Sequence, residues 1–172
     1  MKLSYIYEFF LFVALILLQV LLFNRISLFG LATPILYIYF LLKLPIGRNL
    51  FFVIISGFLL GLIIDVFLNT PGMNAAATTI VAALRKPIIN MVFDREEYEE
   101  FTPGIHSGAG AFIRFTLIIV FLHQTLLFFI ESFTFFNILN TVLRILASSA
   151  LTLVLIIALD SLMYRKKGSE QS

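Results

Sequence analysis

Cysteine and tryptophan are absent from this 172-residue chain, and charged residues make up only 13% of it. Without cysteine the protein has no disulfide, no thiolate metal ligand and no cysteine nucleophile. Hydrophobic residues reach 60%, which leaves too little polar surface to face water on every side, since soluble domains are about half apolar and about a quarter charged. The composition therefore indicates a membrane protein whose aromatic anchors are Phe and Tyr.

A concentration of positive charge is also missing. The net charge is +2, and the twelve Lys and Arg are scattered along the chain. A nucleic-acid-binding protein usually carries a basic patch or stripe, so we expect no nucleic-acid partner. Membrane lipid is the surrounding that the composition predicts.

Six hydrophobic segments are present, and each is close to the ~20 residues that a helix needs to cross a bilayer. They lie at 5–23, 28–44, 50–68, 74–93, 112–130 and 139–163. The second is short and contains Pro34, and the fourth contains Pro87, where we expect the helix to kink or end. The prediction is a single all-α domain, a polytopic integral membrane protein with a six-helix transmembrane bundle, with five spans as the alternative.

The distribution of Lys and Arg between the spans predicts the orientation. With the N-terminus in the cytoplasm, ten of the twelve basic residues lie on the cytoplasmic side, and only Arg25 and Arg144 lie on the other. Such an asymmetry is typical of cytoplasmic loops. We therefore expect both termini in the cytoplasm, with an acidic cytoplasmic loop at 94–111 and a charged tail at 164–172. The loop is either a solvated connector or a docking site for a basic partner.

Small residues surround one charged position in the third and fourth segments. Gly57, Gly61 and Asp65 are spaced by four and share one helix face. Because a Gly-xxx-Gly face lets another helix approach closely, and the fourth segment begins with Ala and Thr, we expect a close-packed hairpin of these two spans. Either Thr70 or Asn74 is expected to cap its second helix.

Asp65 places a carboxylate inside a span, which costs on the order of 2.5–3.5 kcal/mol at mid-bilayer and less near an interface. The predicted topology brings Arg144, near the outer end of span six, to about the same depth. We therefore consider an Asp65–Arg144 ion pair that joins spans three and six. In the alternative, the two charges reach the interface separately and never meet.

The remaining polar positions predict structure rather than chemistry. We expect Glu8 and Asp160 to snorkel or to pair with basic residues, and His106 to be solvated in the acidic loop. His123 and Gln124 lie in the middle of span five, where interhelical hydrogen bonds are expected. No combination of acids, serines and histidines suggests a metal site or a triad. We therefore expect no enzymatic activity and no cofactor.

The stretch Gly61-x-x-x-Asp65 is followed by Pro71-Gly72-x-Asn74-Ala75 and an Ala-rich helix. This pattern resembles the signature of the bacterial rod-shape-determining protein family MreD, and the resemblance extends to chain length and span count. In many members one residue separates the Pro from the Gly, whereas here the two are adjacent. The motif itself covers 57–83.

The resemblance implies a non-enzymatic inner-membrane component of the bacterial cell-elongation machinery. Such a component scaffolds an MreC-type partner and couples MreB filaments to the enzymes of peptidoglycan synthesis. The resemblance also implies a fold similar to the substrate-capture S-components of energy-coupling-factor transporters. The candidate motif and helix-packing residues are Gly57, Gly61, Asp65, Pro71, Gly72, Asn74 and Arg144.

Two other function classes are considered beside the scaffold. A vitamin-type small-molecule capture subunit of a membrane transporter needs a polar, aromatic-lined cavity that opens to the outside. A lipid-processing enzyme needs clustered acids or a metal site. The sequence offers no such cluster, so the capture subunit is the stronger alternative.

Overall fold

The computed structural model describes residues 2–25, 32–93, 101–131 and 138–169. The prediction of an all-α fold is confirmed for these residues, which contain six α-helices and two single-turn 3-10 helices at Phe23–Arg25 and Ile105–Ser107. The α-helices are α1 (Lys2–Leu21), α2 (Tyr39–Lys43), α3 (Leu50–Leu68), α4 (Met73–Val92), α5 (Ala109–Glu131) and α6 (Ile138–Ser169). Helix α3 packs on α4, α4 on α5 and α5 on α6.

Four helices are long and apolar enough to cross a membrane: α3, α4, α5 and the Ile138–Met163 part of α6. The apolar part of α1, Tyr5–Leu21, is shorter. Large apolar side chains are exposed along these helices, among them Phe10, Phe51, Val66 and Val154. Because a soluble monomer rarely exposes contiguous apolar surface of this extent, these faces indicate contact with membrane lipid.

The second predicted span is not a continuous helix. Thr33 to Leu36 form neither helix nor strand, the chain turns at Tyr37 and Ile38, and only the five-residue helix α2 follows. Residues 28–31 of the predicted span lie outside the described residues. Pro34 contributes to this outcome, because it lacks a backbone N–H and disfavours helical geometry at the residue before it. We refer to residues 32–38 as the extended segment.

Side chains of two helices replace the backbone hydrogen bonds that a helix would have supplied to the extended segment. Gln19 of α1 donates from Nε2 to the Pro34 carbonyl at 3.0 Å. The segment's own amides donate from Thr33 to Ser148 Oγ (3.0 Å), from Ile35 to Thr152 Oγ1 (3.0 Å) and from Leu36 to Gln19 Oε1 (2.7 Å). Irregular backbone is tolerated at membrane depth only where protein or a cavity satisfies it. Here α1 and α6 do so.

Helix α4 does not end at Pro87 but continues to Val92. Proline inside a helix costs about 3 kcal/mol or more, and tertiary packing on both sides of it offsets that cost. Arg85, Ile88 and Ile89 are buried. The Arg85 guanidinium donates from Nε to the Leu41 carbonyl at 2.6 Å and from Nη2 to the Leu44 carbonyl, which ties α4 to the middle and the C-terminal end of α2.

The other helix bounds lie close to the predicted spans. Helix α3 coincides with 50–68, and α5 extends past 112–130 by a few residues at its start. Helix α6 continues beyond residue 163 to Ser169, so most of the predicted tail is helical. Residues 94–100 of the acidic loop lie outside the described residues. The later part of that loop is anchored, because the Ile46 amide donates to the Phe101 carbonyl at 2.9 Å and Pro103 and Gly104 are buried.

Candidate functional site

Two glycines of the motif lie where α3 meets α4. A Cβ atom at Gly61 would stand 2.6 Å from the Cα of Ala75, and a Cβ at Gly57 would stand 2.9 Å from the Cβ of Ala82. At Gly61 the surrounding atoms include backbone, which has little room to move. A larger residue there would therefore push the two helices apart.

Asp65 lies at the other end of the same face and is 4% exposed. Its Oδ1 accepts hydrogen bonds from Thr70 Oγ1 (2.7 Å), the Asn74 amide (3.0 Å) and Asn74 Nδ2 (2.8 Å). Its Oδ2 accepts from the Ala75 amide at 2.9 Å. Asp65 of α3 thus caps the N-terminus of α4, where a negative charge is stabilised by free amides and by the helix dipole.

The expected caps are wrong, since neither Thr70 nor Asn74 accepts from the first amides of α4. The residue in the N-cap position is Gly72, which makes no side-chain hydrogen bond. Thr70 and Asn74 instead donate to Asp65. The predicted caps were residues next to α4 in sequence, whereas the actual cap is a side chain of the preceding helix, α3.

The turn between the two helices contains two residues in the left-handed region. Asn69 ends α3 with φ 56°, and Gly72 precedes α4 with φ 79°. Glycine and asparagine adopt this region at low cost. Pro71 is exposed between them. The adjacent Pro71-Gly72 pair therefore forms a tight turn that brings Asp65 to the start of α4.

A chain of buried polar groups leads from Asp65 into the bundle. The Tyr37 hydroxyl donates to Asn74 Oδ1 at 2.7 Å and contacts His123 Nε2 at 3.2 Å. Because the single hydroxyl proton is used on Asn74, the hydroxyl accepts from His123, which places the histidine proton on Nε2. The polar chain Asp65–Asn74–Tyr37–His123 joins α3, α4, the extended segment and α5.

The interhelical hydrogen bond expected of Gln124 is confirmed, whereas the partner of His123 lies in the extended segment and not in a helix. His123 bonds to Tyr37, and Gln124 Nε2 donates to Thr152 Oγ1 of α6 at 3.2 Å. His123 Nδ1 and Gln124 Oε1 are buried without a hydrogen-bond partner in the described part of the chain. His106 is exposed.

A second buried carboxylate, Asp160, lies towards the opposite end of the bundle and is 2% exposed. Its Oδ1 accepts from Lys43 Nζ (2.9 Å) and from the Tyr39 hydroxyl (2.6 Å), and its Oδ2 accepts from the Ile105 amide (2.8 Å). Lys43 Nζ also donates to the Pro103 carbonyl at 2.8 Å. The expectation that Asp160 pairs with a basic residue is confirmed.

Glu8 is also paired. Arg48 Nε donates to Glu8 Oε1 at 3.1 Å, and the guanidinium lies 3.9 Å from the centre of the Tyr5 ring. This pair joins α1 to the start of α3. Both acids that were expected near the inner interface therefore have cationic partners.

The hypothesised Asp65–Arg144 ion pair is wrong. Arg144 Nη2 instead contacts Glu131 Oε1 at 3.3 Å, and its guanidinium lies 4.6 Å from the centre of the Phe128 ring. Asp65 receives its hydrogen bonds within ten residues of its own position. The local helix cap therefore satisfies the carboxylate that the prediction had assigned to a distant cation.

A cavity of about 290 Å³ lies between the polar chain and Arg144. Its wall comes from the extended segment and from α1, α4, α5 and α6, near the end of the bundle that holds the α3–α4 turn. Polar groups in the wall belong to Gln19, Asn24, Thr33, Tyr37, Thr70 and Asn74. Glu131 and Arg144 supply one negative and one positive charge. We call this space the outer cavity, after the orientation expected from the sequence, which places this end of the bundle outside.

Sequence reasoning missed Gln19, Tyr37, Tyr39 and Lys43 as buried polar groups. The available signal was their position inside apolar runs of the first two segments. Read as parts of helical spans, the tyrosines and the lysine resembled interfacial anchors. The path of the extended segment and α2 brings the two tyrosines and the lysine into the bundle.

Within the described ranges no group of three or more His, Asp or Glu could hold a metal ion. Asp65 and Asp160 each accept hydrogen bonds on both oxygens, as structural acceptors do. Comparison with protein-family models, curated proteins and solved structures finds no match for this chain.

Proposed function

We propose that the protein is a non-enzymatic membrane scaffold of the bacterial cell-elongation machinery, as its resemblance to the MreD family implies. The observation that supports this most is the structural use of the motif. Gly61 allows close approach of α4, and Gly72 supplies the left-handed turn. Asp65 accepts four hydrogen bonds, two of them from the first backbone amides of α4. A motif used in this way builds a rigid hairpin and leaves no free carboxylate for chemistry.

The proposed mechanism is positional. The bundle holds an MreC-type partner in the membrane and so couples MreB filaments to the enzymes that synthesise peptidoglycan. Exposed apolar faces of α1, α3 and α6 support contact with lipid and with a partner helix. Helix association in lipid relies on packing and on interhelical hydrogen bonds, so a rigid surface favours a specific partner.

We further propose a six-element bundle in the inner membrane, similar to an energy-coupling-factor S-component, with both termini in the cytoplasm. Arg48, Arg85 and Lys86 gather around one small pocket at the end of the α3–α4 hairpin opposite Asp65. This basic end supports a cytoplasmic location for that side.

Depletion of the protein in its native bacterium tests the scaffold proposal. Rod-shaped cells are expected to become spherical while vitamin uptake stays normal. Cells that keep their rod shape after depletion would contradict the proposal.

Complementation with two glycine variants adds a matched control. Gly61→Leu should fail to restore rods, because its side chain would meet α4. Gly110→Leu should restore them, because a Cβ at Gly110 meets no atom within 4 Å. Immunoblots of the membrane fraction establish that both variants are compared at equal abundance.

The outer cavity favours a second candidate function, a small-molecule capture subunit. Its volume of about 290 Å³ lies at the low end of the range for small-molecule sites, and its wall includes Tyr37 and Phe128. Mass spectrometry of the purified protein tests this function through a co-purified vitamin-sized compound. Loss of uptake of that compound in depleted cells would support capture, and unchanged uptake would contradict it.

A further inference from the structure

We propose that the outer cavity binds a small zwitterionic ligand, with one ammonium group and one oxyanion, through Glu131 and Arg144. This proposal goes beyond the scaffold function and deepens the second candidate function, small-molecule capture. Whether the bound ligand is then transported depends on that function. Binding itself does not, because it is measurable whether or not transport occurs.

The charges of the cavity wall favour a ligand with no net charge. Glu131 and Arg144 are its two charged residues in the described part of the chain, so the wall is neutral overall. A ligand with a single charge would pair with one of these side chains and leave the other without an opposite charge. A zwitterion brings one partner for each side chain and keeps the balance.

The existing ion pair is weak enough to open. Arg144 Nη2 and Glu131 Oε1 are 3.3 Å apart, and the side chains are 28% and 43% exposed. A partly exposed pair of this kind contributes little stability. At low cost, Arg144 can therefore release Glu131 and bind the oxyanion of a ligand, while Glu131 binds its ammonium group.

Arg144 is already oriented for an oxyanion. Its guanidinium lies 4.6 Å from the centre of the Phe128 ring, a distance at which a cation is attracted to the ring face. A guanidinium presents parallel N–H donors that match the two oxygens of a carboxylate or phosphate. Glu131 Oε1, next to it, is an acceptor for an ammonium N–H.

The remaining wall is preorganised for a polar body with an apolar side. Gln19 Nε2 donates to Asn24 Oδ1 at 3.1 Å, and the Tyr37 hydroxyl is held by Asn74 and His123. Leu127 and Met73 supply apolar surface. Because hydrogen bonds already hold these polar side chains, the ligand does not have to order them.

Two sources offer this chemistry: free amino compounds such as short peptides, and the phosphoethanolamine headgroup of a membrane lipid. Both combine a primary ammonium with an oxyanion. The experiment therefore uses one probe for each source and one for the lipid headgroup without acyl chains. These probes are glycylglycine, dihexanoyl phosphatidylethanolamine and glycerophosphoethanolamine.

Isothermal titration calorimetry of the full chain in maltoside micelles measures the dissociation constant of each probe. Matched anions that lack the ammonium serve as controls: acetylglycylglycine, dihexanoyl phosphatidylglycerol and glycerophosphoglycerol. At least one zwitterion should bind tenfold or more tightly than its matched anion. Glycylglycine alone identifies a soluble amino compound, whereas either ethanolamine probe identifies the lipid headgroup, and both results support the proposal.

Variants of the two charged residues test the assignment. Arg144→Ala and Glu131→Gln should each weaken the binding of the zwitterion tenfold or more. Arg114→Ala should leave it unchanged, because Arg114 is exposed on α5 and is not part of the wall. Thermal unfolding without ligand checks each variant, and the exposed position of Glu131 makes Glu131→Gln safe for folding.

The proposal is overturned if no zwitterionic probe binds, if each matched anion binds as tightly as its zwitterion, or if Glu131→Gln leaves the affinity unchanged. Those results would leave the scaffold proposal standing, since cell shape tests it separately. Conversely, unchanged vitamin uptake after depletion would reject capture without affecting a measured binding constant.

Discussion

Asp65 and Asp160 are both buried carboxylates, yet the molecule stabilises them in different ways. Asp65 accepts only from neutral donors, and all of them lie within ten residues of it. Asp160 pairs with Lys43 and accepts from Tyr39 and the Ile105 amide, each at least 55 positions away in the chain. One carboxylate closes a local hairpin, and the other holds distant elements together.

The difference explains which of the two sites could be predicted. The local cap depends on a short motif, so Gly61, Asp65 and Asn74 stand out in the sequence. The distant cluster depends on α2 and the extended segment, whose path is set by Pro34 and by side chains of α1 and α6. No local sequence pattern predicts those long-range hydrogen bonds.

The largest effect is expected at the distant cluster. Asp160→Ala leaves the Lys43 ammonium buried without its carboxylate, and removal of one partner of a buried pair costs about 3–5 kcal/mol. The double variant Lys43→Met/Asp160→Ala should recover a large part of that loss, because no buried charge remains. Denaturation in micelles measures the free energy of unfolding of the single and the double variant. Equal losses in the single and the double variant would contradict a paired cluster.

A smaller loss is expected at the local cap. Asp65→Ala removes the acceptor of two backbone amides of α4 and should cost about 2 kcal/mol, within the range for helix caps and hydrogen bonds to charged groups. Its effect should add to that of Arg144→Ala, because the two residues do not contact each other. Strong coupling between the two substitutions would instead be evidence for an Asp65–Arg144 ion pair and would contradict the structure.

The supports of the extended segment should each contribute less. Thr152→Val removes an acceptor shared by the Ile35 amide and Gln124, whereas Ser148→Ala removes only the acceptor of the Thr33 amide. A single hydrogen bond contributes about 0.5–1.5 kcal/mol, so Thr152→Val should be the more destabilising of the two. The reverse order in the free energy of unfolding would argue against the described path of the segment.

The smallest effect on stability is expected from Arg144→Ala. Its contact with Glu131 is partly exposed, and such pairs contribute about 0.2–1 kcal/mol. Unfolding should therefore change little even if ligand binding is lost. A loss as large as that of Asp160→Ala would mean that Arg144 has a structural role.

The sequence predicted the helical class and the residues of the hairpin, because apolar runs and Gly spacing are local signals. Of the six predicted spans, four are membrane-length helices in the described part of the chain. It mispredicted the span at 28–44, the cap of α4 and the partner of Arg144. In each case the deciding contact is tertiary. Gln19 and Thr152 replace helical hydrogen bonds, and Asp65 reaches the next helix, which composition and periodicity do not encode.

Hydrogen exchange at the start of α4 tests the central claim, that the motif carboxylate is a structural helix cap. In the wild-type protein the Asn74 and Ala75 amides should be protected, because both donate to Asp65. Asp65→Ala should abolish protection at these two amides while exchange in α5 stays the same. Unchanged protection of Asn74 and Ala75 in that variant would contradict the claim.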